Sequence, residues 1–366
     1  MKIVFITTRS ITFNTFLKSQ ADYLGKNNFN VEVACSDNKN LNFNYNLTHK
    51  IDFPNKISEL FNLFNYIKIF KQIRHLIKKN SQSIFYLHTP VASHIFRLFT
   101  FFHNLKIVYF VHGFRFMPAS NSLKDFFFKI VEKILSFNTA IFITINNDDF
   151  IYSKLYLCKK SNSFKINGVG LDLSKKYFNK KIKKKKNIKK VIVIAAYKKN
   201  KGYLEILKLA EILKKNKIQI KCYGYGDQRK FNSIKIKKKL NNIFFYNFDK
   251  KLKNKIKKFD ILLHLSKREG LPVAVMESLL EGLPVICYNI RGNNDLIIDG
   301  INGLFVKSYI DAAKKISFLN LEESYFNKLR YNAFKSINND YSKKEINKKL
   351  FKIFKSYNKI CNSVYR

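Results

Sequence analysis

The stretch His264–Phe305, HLSKREGLPVAVMESLLEGLPVICYNIRGNNDLIIDGINGLF, decides the fold of this 366-residue chain. The apolar run Asp260–Leu265 predicts a buried parallel strand, and Val285–Tyr288 predicts a second one. Between them, Pro272 suits the start of a helix that runs over Val273–Leu280. A strand, a loop, a helix and a strand in this order are typical of open α/β sheets, in which ligands bind outside the carboxyl ends of the strands.

Two carboxylates stand in this unit. Glu269 lies on the loop after the first strand, and Glu277 lies on the second turn of the helix. The backbone around a helix start suits a phosphate group, and a carboxylate accepts paired hydrogen bonds from a vicinal diol. The pattern therefore favours a nucleotide-sugar site, in which the donor also meets Gly270, Leu271, Pro272 and Val273. The plainer alternative is that both glutamates are ordinary solvated charges.

The ordered set of motif residues resembles the retaining glycosyltransferases of family 4, which carry two glutamates separated by seven residues. Ser266, Arg268 and Gly270 surround Glu269 as in the family pattern S-x-R-E-G-x-P. The segment Ile290–Gly303 is similar to the RG-x-x-D-L-I-x-x-G-x-N-G segment of the same family. The resemblance implies the GT-B architecture, an α/β fold of two Rossmann-like domains that face a central cleft.

A histidine follows another predicted strand in the first half of the chain. The segment Tyr109–Phe116 resembles the T-x-H-G-F-x-F segment of bacterial members that add N-acetylhexosamines to polysaccharides or lipid-linked glycans. By this resemblance, His112 contacts the donor sugar near the reacting centre. The alternative is a structural histidine, which is the commoner role of a single histidine at a strand end.

Further positions match the family on the donor side, with two departures. Lys201 stands where the R-x4-K-G diphosphate clamp has its lysine, and Gly224 matches the strand-end G-x-G. Ala196 occupies the position of the clamp arginine, and the first loop, Thr8–Asn14, lacks the usual glycines. The residues that could replace these groups are Lys198 and Lys199 for the arginine, and Arg9 and Ser10 for the glycines.

The domain organisation follows from the same resemblance. We expect an acceptor-binding domain at residues 1–175, a Lys-rich solvated linker at 176–190, a nucleotide-sugar-binding domain at 191–340 and a final helix at 341–366 that crosses back to the first domain. Two apolar helical patterns, Ile57–Lys79 and Ile95–Phe102, fit either packing on the sheet or a membrane interface.

The net charge of +44, with a pI near 10.0, points first to an anionic partner. The lysines are spread along the chain and form no compact nucleic-acid motif, so we expect an anionic membrane surface and no nucleic acid. Part of the lysine excess is also what an AT-rich coding sequence produces. The five cysteines are odd in number and lack a C-x-x-C pair, which indicates reduced thiols and no metal site. With neither a signal peptide nor a spanning apolar run, the expected location is cytoplasmic, peripheral on the inner face of the plasma membrane.

The resemblance implies a retaining, metal-independent transferase without a cofactor. Its co-substrate would be a UDP-sugar, and its acceptor a polyprenyl-diphosphate-linked saccharide in the synthesis of a surface glycan such as a capsule or lipopolysaccharide. A UDP-sugar epimerase of the same fold and a catalytically inactive transferase-like scaffold stay open as alternatives. A glycosidase is disfavoured, because its acid would not sit beside a helix start suited to phosphate. The sequence leaves the sugar, the linkage and the oligomeric state undecided.

Overall fold

The computed structural model describes residues 1–43, 48–55, 59, 62–120, 122–157, 162–173, 182–249 and 251–362. The chain forms two compact units. Unit 1 consists of Met1–Gly170 together with Lys343–Arg366, and unit 2 consists of Leu171–Ser342. Each unit has a parallel sheet of its own. The predicted α/β fold with two Rossmann-like domains is therefore confirmed.

The sheet of unit 1 has seven strands in the order β3-β2-β1-β4-β5-β6-β7, all parallel. Apolar side chains of its central strands are buried on both faces, as parallel sheets covered by helices require. Edge strands β3 and β7 were not predicted, because they are short and polar. The strands are β1 (Lys2–Ile6), β2 (Asn30–Cys35), β3 (Thr48–Lys50), β4 (Ile84–Leu87), β5 (Lys106–Val111), β6 (Ile141–Thr144) and β7 (Asn162–Lys165).

Six helices in the described part of Met1–Gly170 cover this sheet. They are α1 (Ser10–Thr12), α2 (Lys18–Lys26), α3 (Leu63–Lys79), α4 (Pro90–Phe99), α5 (Leu123–Leu135) and α6 (Asn147–Tyr156), with a π-helical turn, Phe13–Leu17, between the first two. The predicted loop Thr8–Asn14 was too long, since the helix already begins at Ser10. The predicted helix Ile57–Lys79 was also too long where it can be compared: α3 begins at Leu63, after Asn62 caps it by accepting from the Phe64 N–H at 3.1 Å. Residues 56–58 and 60–61 lie outside the described residues.

The sheet of unit 2 has six parallel strands in the order β10-β9-β8-β11-β12-β13. Its strands are β8 (Lys190–Ile194), β9 (Gln219–Gly224), β10 (Ile243–Asn247), β11 (Ile261–His264), β12 (Val285–Tyr288) and β13 (Gly303–Val306). The helices of its described residues are α7 (Tyr203–Leu213), α8 (Arg229–Lys237), α9 (Val273–Leu280), α10 (Tyr309–Leu321) and α11 (Glu323–Ser336). Short 3₁₀ turns, Lys199–Lys201 among them, complete the connections.

Helix α9 has the bounds that the sequence predicts. Pro272 precedes it with an extended backbone, and Gly282 follows it with φ of 70°. The Gly282 N–H donates to the Leu279 carbonyl at 2.8 Å, and the Leu283 N–H donates to the Ser278 carbonyl at 3.0 Å. This is the Schellman arrangement, which satisfies the last carbonyls of the helix and directs the chain into β12.

The Lys-rich segment before β8 is not simply solvated, contrary to our expectation for 176–190. In its described part, the Lys185 ammonium forms an ion pair with Asp260 at the start of β11. The second Asp260 oxygen accepts from the Lys189 and Lys190 N–H groups at 2.8 Å each. Ile188 is 2% exposed within the core of unit 2. One carboxylate thus anchors this segment to the amino-terminal ends of the central strands β8 and β11.

Two further helices, α12 (Lys343–Lys355) and α13 (Tyr357–Asn362), return to unit 1. Asn347 donates to the Ser19 carbonyl at 3.0 Å, and the Phe351 ring lies 6.3 Å from the Tyr23 ring. Helix α12 therefore packs against α2 and covers part of the sheet of unit 1. Among the described residues, every helix is too short or too polar to cross a bilayer.

Gly202 and Gly300 have the same left-handed φ of 75° but different surroundings. Substituting each of them therefore distinguishes the cost of backbone strain from the cost of a close contact. A side chain at Gly202 would meet the Leu265 carbonyl oxygen at 2.2 Å, whereas at Gly300 the nearest atom is the Tyr325 hydroxyl at 3.5 Å. We expect Gly300→Ala to lower the free energy of unfolding by about 1–2 kcal/mol through the left-handed backbone alone. Gly202→Ala should cost about 1–3 kcal/mol more, because the Leu265 backbone must also move. Urea titrations of the two variants measure both costs, and equal losses would contradict the contact.

Candidate active site

The candidate site of unit 2 is built at the carboxyl ends of two neighbouring strands. Strands β8 and β11 pair in parallel, with Ile192 opposite Leu262. The Lys267 N–H donates to the Asn200 carbonyl at 2.9 Å, and so joins the loops that follow the two strands. Gly202 brings the first loop close to the Leu265 backbone, where a larger residue does not fit. The fold thus brings together two chain segments that are distant in sequence.

These loops place Lys201 and Glu269 in direct contact. The Lys201 ammonium lies 2.5 Å from Glu269 Oε1, and His264 Nε2 lies 3.2 Å from the same oxygen. The three side chains are largely shielded from water, with exposed fractions of 17%, 14% and 3%. The Glu269 carbonyl also accepts from Arg291 Nε at 2.9 Å. The loop residue is therefore fixed through both its side chain and its backbone.

The carboxyl of Glu269 stays ionised over a wide pH range. Burial raises its pKa, but the neighbouring His264 and Lys201 outweigh burial and hold the pKa at about 2. A buried carboxylate with two nitrogen-bearing neighbours can accept hydrogen bonds from sugar hydroxyls. The adjacent ammonium can in turn meet the negative charge of a phosphate group.

His264 is a candidate that the sequence analysis did not single out. It is the last residue of β11, and its ring is almost fully buried beside Glu269. The sequence carries a signal for it, because His264, like His112, stands at the carboxyl end of a predicted strand, where side chains of parallel sheets face the ligand site.

The segment from Gly270 to Val273 lies at the start of α9, as predicted. Pro272 has no N–H group, so the backbone donors of this segment are Gly270, Leu271 and Val273. Gly292 presses against it: a side chain there would meet the Gly270 carbonyl oxygen at 2.0 Å. The positive end of the helix and the Lys201 ammonium provide the electrostatics that an anionic ligand needs.

Glu277 is half-buried on α9 and lines a recess of about 70 Å³. Lys253 and Asp172 line the same recess. Gly224 ends β9, where a side chain would meet the Ala195 carbonyl oxygen at 1.9 Å. The glycine is thus required by the packing between β9 and the chain after β8, whatever it does for a ligand.

In unit 1, His112 follows β5 and contacts a second histidine. Its Nε2 lies 3.1 Å from Nδ1 of His88, which follows β4. Burial lowers the pKa of His112 to about 4, and burial together with His112 lowers the pKa of His88 well below its ordinary value. Both rings are therefore neutral near pH 7, and one nitrogen of the pair donates while the other accepts.

The structure also places the residues suggested to replace the first-loop glycines and the clamp arginine. Ser10 is buried, and its N–H and hydroxyl donate to Asp37 at 2.6 and 2.8 Å. Arg9 Nε lies 4.0 Å from the same carboxylate. Lys198 and Lys199 are exposed beside Ala196. No group of three or more His, Cys, Asp or Glu side chains that could hold a metal occurs within the described ranges of the chain.

Two family models match the chain. The model of "Glycosyl transferases group 1" matches residues 174–336, and that of "Glycosyl transferase 4-like" matches residues 2–146. The capsular polysaccharide biosynthesis glycosyltransferase CapM of Staphylococcus aureus is 25% identical, and the match covers 93% of each chain. The UDP-Gal:alpha-D-GlcNAc-diphosphoundecaprenol alpha-1,3-galactosyltransferase of Escherichia coli is 24% identical, covering 81% of this chain and 82% of its own.

Solved structures share the fold. Sucrose-phosphate synthase from Thermosynechococcus elongatus matches with a TM-score of 0.79 and 13% identity, over 98% of this chain and 99% of its own. The Anabaena protein HepE, in complex with UDP and glucose, matches with a TM-score of 0.73 and 14% identity, over 97% and 100% of the two chains. Both are similar to this chain in architecture, which is that of the GT-B glycosyltransferases.

The depressed pKa of Glu269 predicts how stability depends on pH. A carboxyl with a pKa of about 2 in the folded chain and 4.5 otherwise stabilises the fold above pH 4.5, by about 3 kcal/mol. The difference in the free energy of unfolding between wild type and Glu269→Gln should therefore shrink as the pH falls from 4.5 towards 2. Denaturant titrations of both proteins across pH 2–6 measure this difference. The control is Glu211→Gln, because Glu211 is exposed. If the stability difference between wild type and Glu269→Gln did not change with pH, the ion pair of Glu269 would be contradicted.

Proposed function

Because the chain belongs to the family-4-like glycosyltransferases, we propose that it moves a hexose or N-acetylhexosamine from a UDP-sugar to a polyprenyl-diphosphate-linked saccharide. The process it serves is the synthesis of a surface glycan such as a capsule. The transfer retains the anomeric configuration and uses neither a metal nor a cofactor. The contact among Lys201, Glu269 and His264 at the strand ends of unit 2 is the observation that carries the proposal.

The donor diphosphate meets Lys201 in this proposal. The ammonium leaves Glu269 for the phosphate oxygens, and the N–H groups of Gly270, Leu271 and Val273 add to its effect as negative charge develops on the departing UDP. Glu269 is then free to accept from the donor sugar hydroxyls. Positive charge from the protein performs the task that a metal performs elsewhere, which supports metal independence.

The remaining residues take roles around this centre. Glu277 holds the ribose diol, and neutral His112 meets the donor sugar near its reacting carbon. The bond from that carbon to the phosphate oxygen breaks with its electron pair on UDP. The acceptor hydroxyl oxygen then bonds to the carbon on the same face, and its proton leaves with the diphosphate. The low pKa of His112 supports a hydrogen-bonding role over that of a general acid.

The acceptor and the location are proposed from two observations. The Escherichia coli relative is named for a diphosphoundecaprenol-linked acceptor. The chain carries a net charge of +44, which favours the anionic inner face of the plasma membrane, where such an acceptor would be presented. We therefore propose a cytoplasmic, peripheral membrane location.

A donor panel tests the activity. Purified protein is incubated with UDP-GlcNAc, UDP-GalNAc, UDP-Glc and UDP-Gal, with and without a bacterial membrane lipid extract, and released UDP is assayed. We expect release with one sugar that depends on the lipid fraction and is unchanged by EDTA. Lipid-independent conversion of the sugar would favour the epimerase, and no release from folded protein would favour the inactive scaffold.

Variants of the ion pair separate turnover from binding. Glu269→Ala should lower turnover at least about 100-fold while leaving UDP affinity nearly intact, because the carboxylate meets the sugar and not the nucleotide. Lys201→Gln should weaken both turnover and UDP binding, since its ammonium meets the diphosphate. Release assays and UDP titration calorimetry measure the two effects, with Glu211→Ala and the exposed Lys215→Gln as controls. Unchanged turnover in Glu269→Ala would remove this residue from the site.

A further inference from the structure

Helix α5 of unit 1 turns its apolar face towards solvent. Its large apolar side chains recur at helical spacing and are strongly exposed: Leu123 at 88%, Phe126 at 59%, Phe127 at 60%, Ile130 at 43% and Ile134 at 49%. Phe137, in the turn that follows, is 64% exposed. A surface helix of a globular protein normally shows the opposite arrangement, with the apolar stripe on the core.

The inner face of α5 is fixed by charge. Glu132 is 1% exposed and accepts from Arg97 Nη2 at 2.9 Å, while its other oxygen lies 2.7 Å from His94 Nε2. The Arg97 guanidinium is fully buried and lies 4.4 Å from the centre of the Tyr109 ring. Rotating the helix to bury its apolar stripe would break this buried ion pair, so the exposed stripe is a stable property of the fold.

Helix α6 extends the apolar surface. Ile151 and Leu155, one turn apart, are 52% and 65% exposed. A groove of about 740 Å³ runs between the two helices, lined mainly by apolar side chains such as Phe126, Ile130 and Tyr152. Lys133 also lines the groove and donates to the Tyr156 carbonyl at 2.6 Å. An exposed apolar area of this extent marks an interaction surface.

Helices α3 and α4, in the same layer, also expose apolar side chains. All crossovers from β3 to β7 proceed in one direction along the sheet, so right-handed connections place α3, α4, α5 and α6 on one face. Contacts of α4 with both α3 and α5 agree with this layer. Phe64 and Leu98, on α3 and α4, are 82% and 63% exposed, and Phe102 after α4 is 96% exposed.

The charged side chains of α5 and α6 indicate which kind of partner this surface binds. Their carboxylates point inward, since Asp125, Glu132 and Asp149 are buried, and Asp148 alone of their acids lines the groove. Lysines flank the apolar stripe: Lys124 and Lys154 are exposed, while Lys129 and Lys133 donate to the Ser120 and Tyr156 carbonyls. Apolar side chains framed by lysines are the pattern of helices that lie in an anionic membrane interface. A second copy of this chain, with the same charge of +44, would be repelled.

We propose that the outer face of α5 and α6 is the surface by which this protein binds an anionic lipid bilayer. The apolar stripe enters the boundary between headgroups and acyl chains, and the lysines stay at the level of the phosphates. The inference rests on the membrane location put forward in the proposed function and assigns it to particular residues.

Vesicle sedimentation tests this surface with the full chain. Wild type should sediment with vesicles of phosphatidylcholine and phosphatidylglycerol, and weakly with phosphatidylcholine alone. The double variant Leu123→Ser/Phe127→Ser should lower the partition coefficient at least about 10-fold, and Lys124→Gln/Lys154→Gln should lower it and flatten its salt dependence. Leu321→Ser is the matched control, because Leu321 is 82% exposed on α10 of unit 2. All these side chains are exposed, so the variants keep the fold.

Three results would overturn the inference: equal sedimentation of the double variant and wild type, sedimentation only when the vesicles contain a polyprenyl diphosphate, or self-association in light scattering that the double variant abolishes. The second result would make the groove a site for the acceptor chain, and the third an interface between copies.

UDP release with a short-chain, water-soluble acceptor analogue separates this inference from the proposed function. If wild type transfers to the analogue but does not bind vesicles, the membrane surface is wrong and the transferase stands; vesicle binding without transfer gives the reverse.

Discussion

In a sheet whose strands all run in one direction, every loop that leaves a strand at its carboxyl end starts from the same edge. Unit 2 depends on this constraint. Lys201 and Glu269 are separated by 68 residues, yet their charged atoms lie 2.5 Å apart because β8 and β11 are neighbours. The close approach of Gly202 to Leu265 and the pressing of Gly292 on Gly270 hold the two loops at that distance. Tight backbone contacts between glycines and carbonyl groups thus set the geometry of the charged centre.

The polar centres of the two units differ in charge. In unit 2 a buried carboxylate stays ionised because Lys201 and His264 compensate its desolvation. In unit 1 the pair His112 and His88 is kept neutral by burial. An ionic centre suits recognition of a diphosphate and of hydroxyl groups, and a neutral imidazole pair suits a fixed hydrogen bond.

Much of this arrangement could be predicted from sequence pattern. Helix α9, its neighbouring strands and the Gly282 cap follow from apolar runs bounded by proline and glycine. Strands β3 and β7 could not be found, since Thr48–Lys50 and Asn162–Lys165 are short, polar and at sheet edges. Composition marked Lys185 as solvated, because the partner Asp260 becomes its neighbour only in the folded sheet.

Motifs and periodicity have limits of a different kind. The family motif assigned Lys201 and Glu269 each to a ligand, so their mutual ion pair was not expected. The apolar stripe on α5 can be read from the sequence like the stripe of any amphipathic helix. Periodicity, however, does not say which face of the helix packs on the sheet. Here the buried partner of Glu132, the distant Arg97, decides the orientation.

The return of α12 to unit 1 gives the chain an order of assembly. Unit 2 is one continuous segment, so its sheet can close as soon as residues up to 342 have left the ribosome. Unit 1 begins to form first, but the surface of α2 that Asn347 and Phe351 cover stays bare until the last helices emerge. During synthesis, therefore, the earlier unit waits for the later one, and a chain that has emerged only as far as Ser342 carries a finished unit 2 attached to an unfinished unit 1.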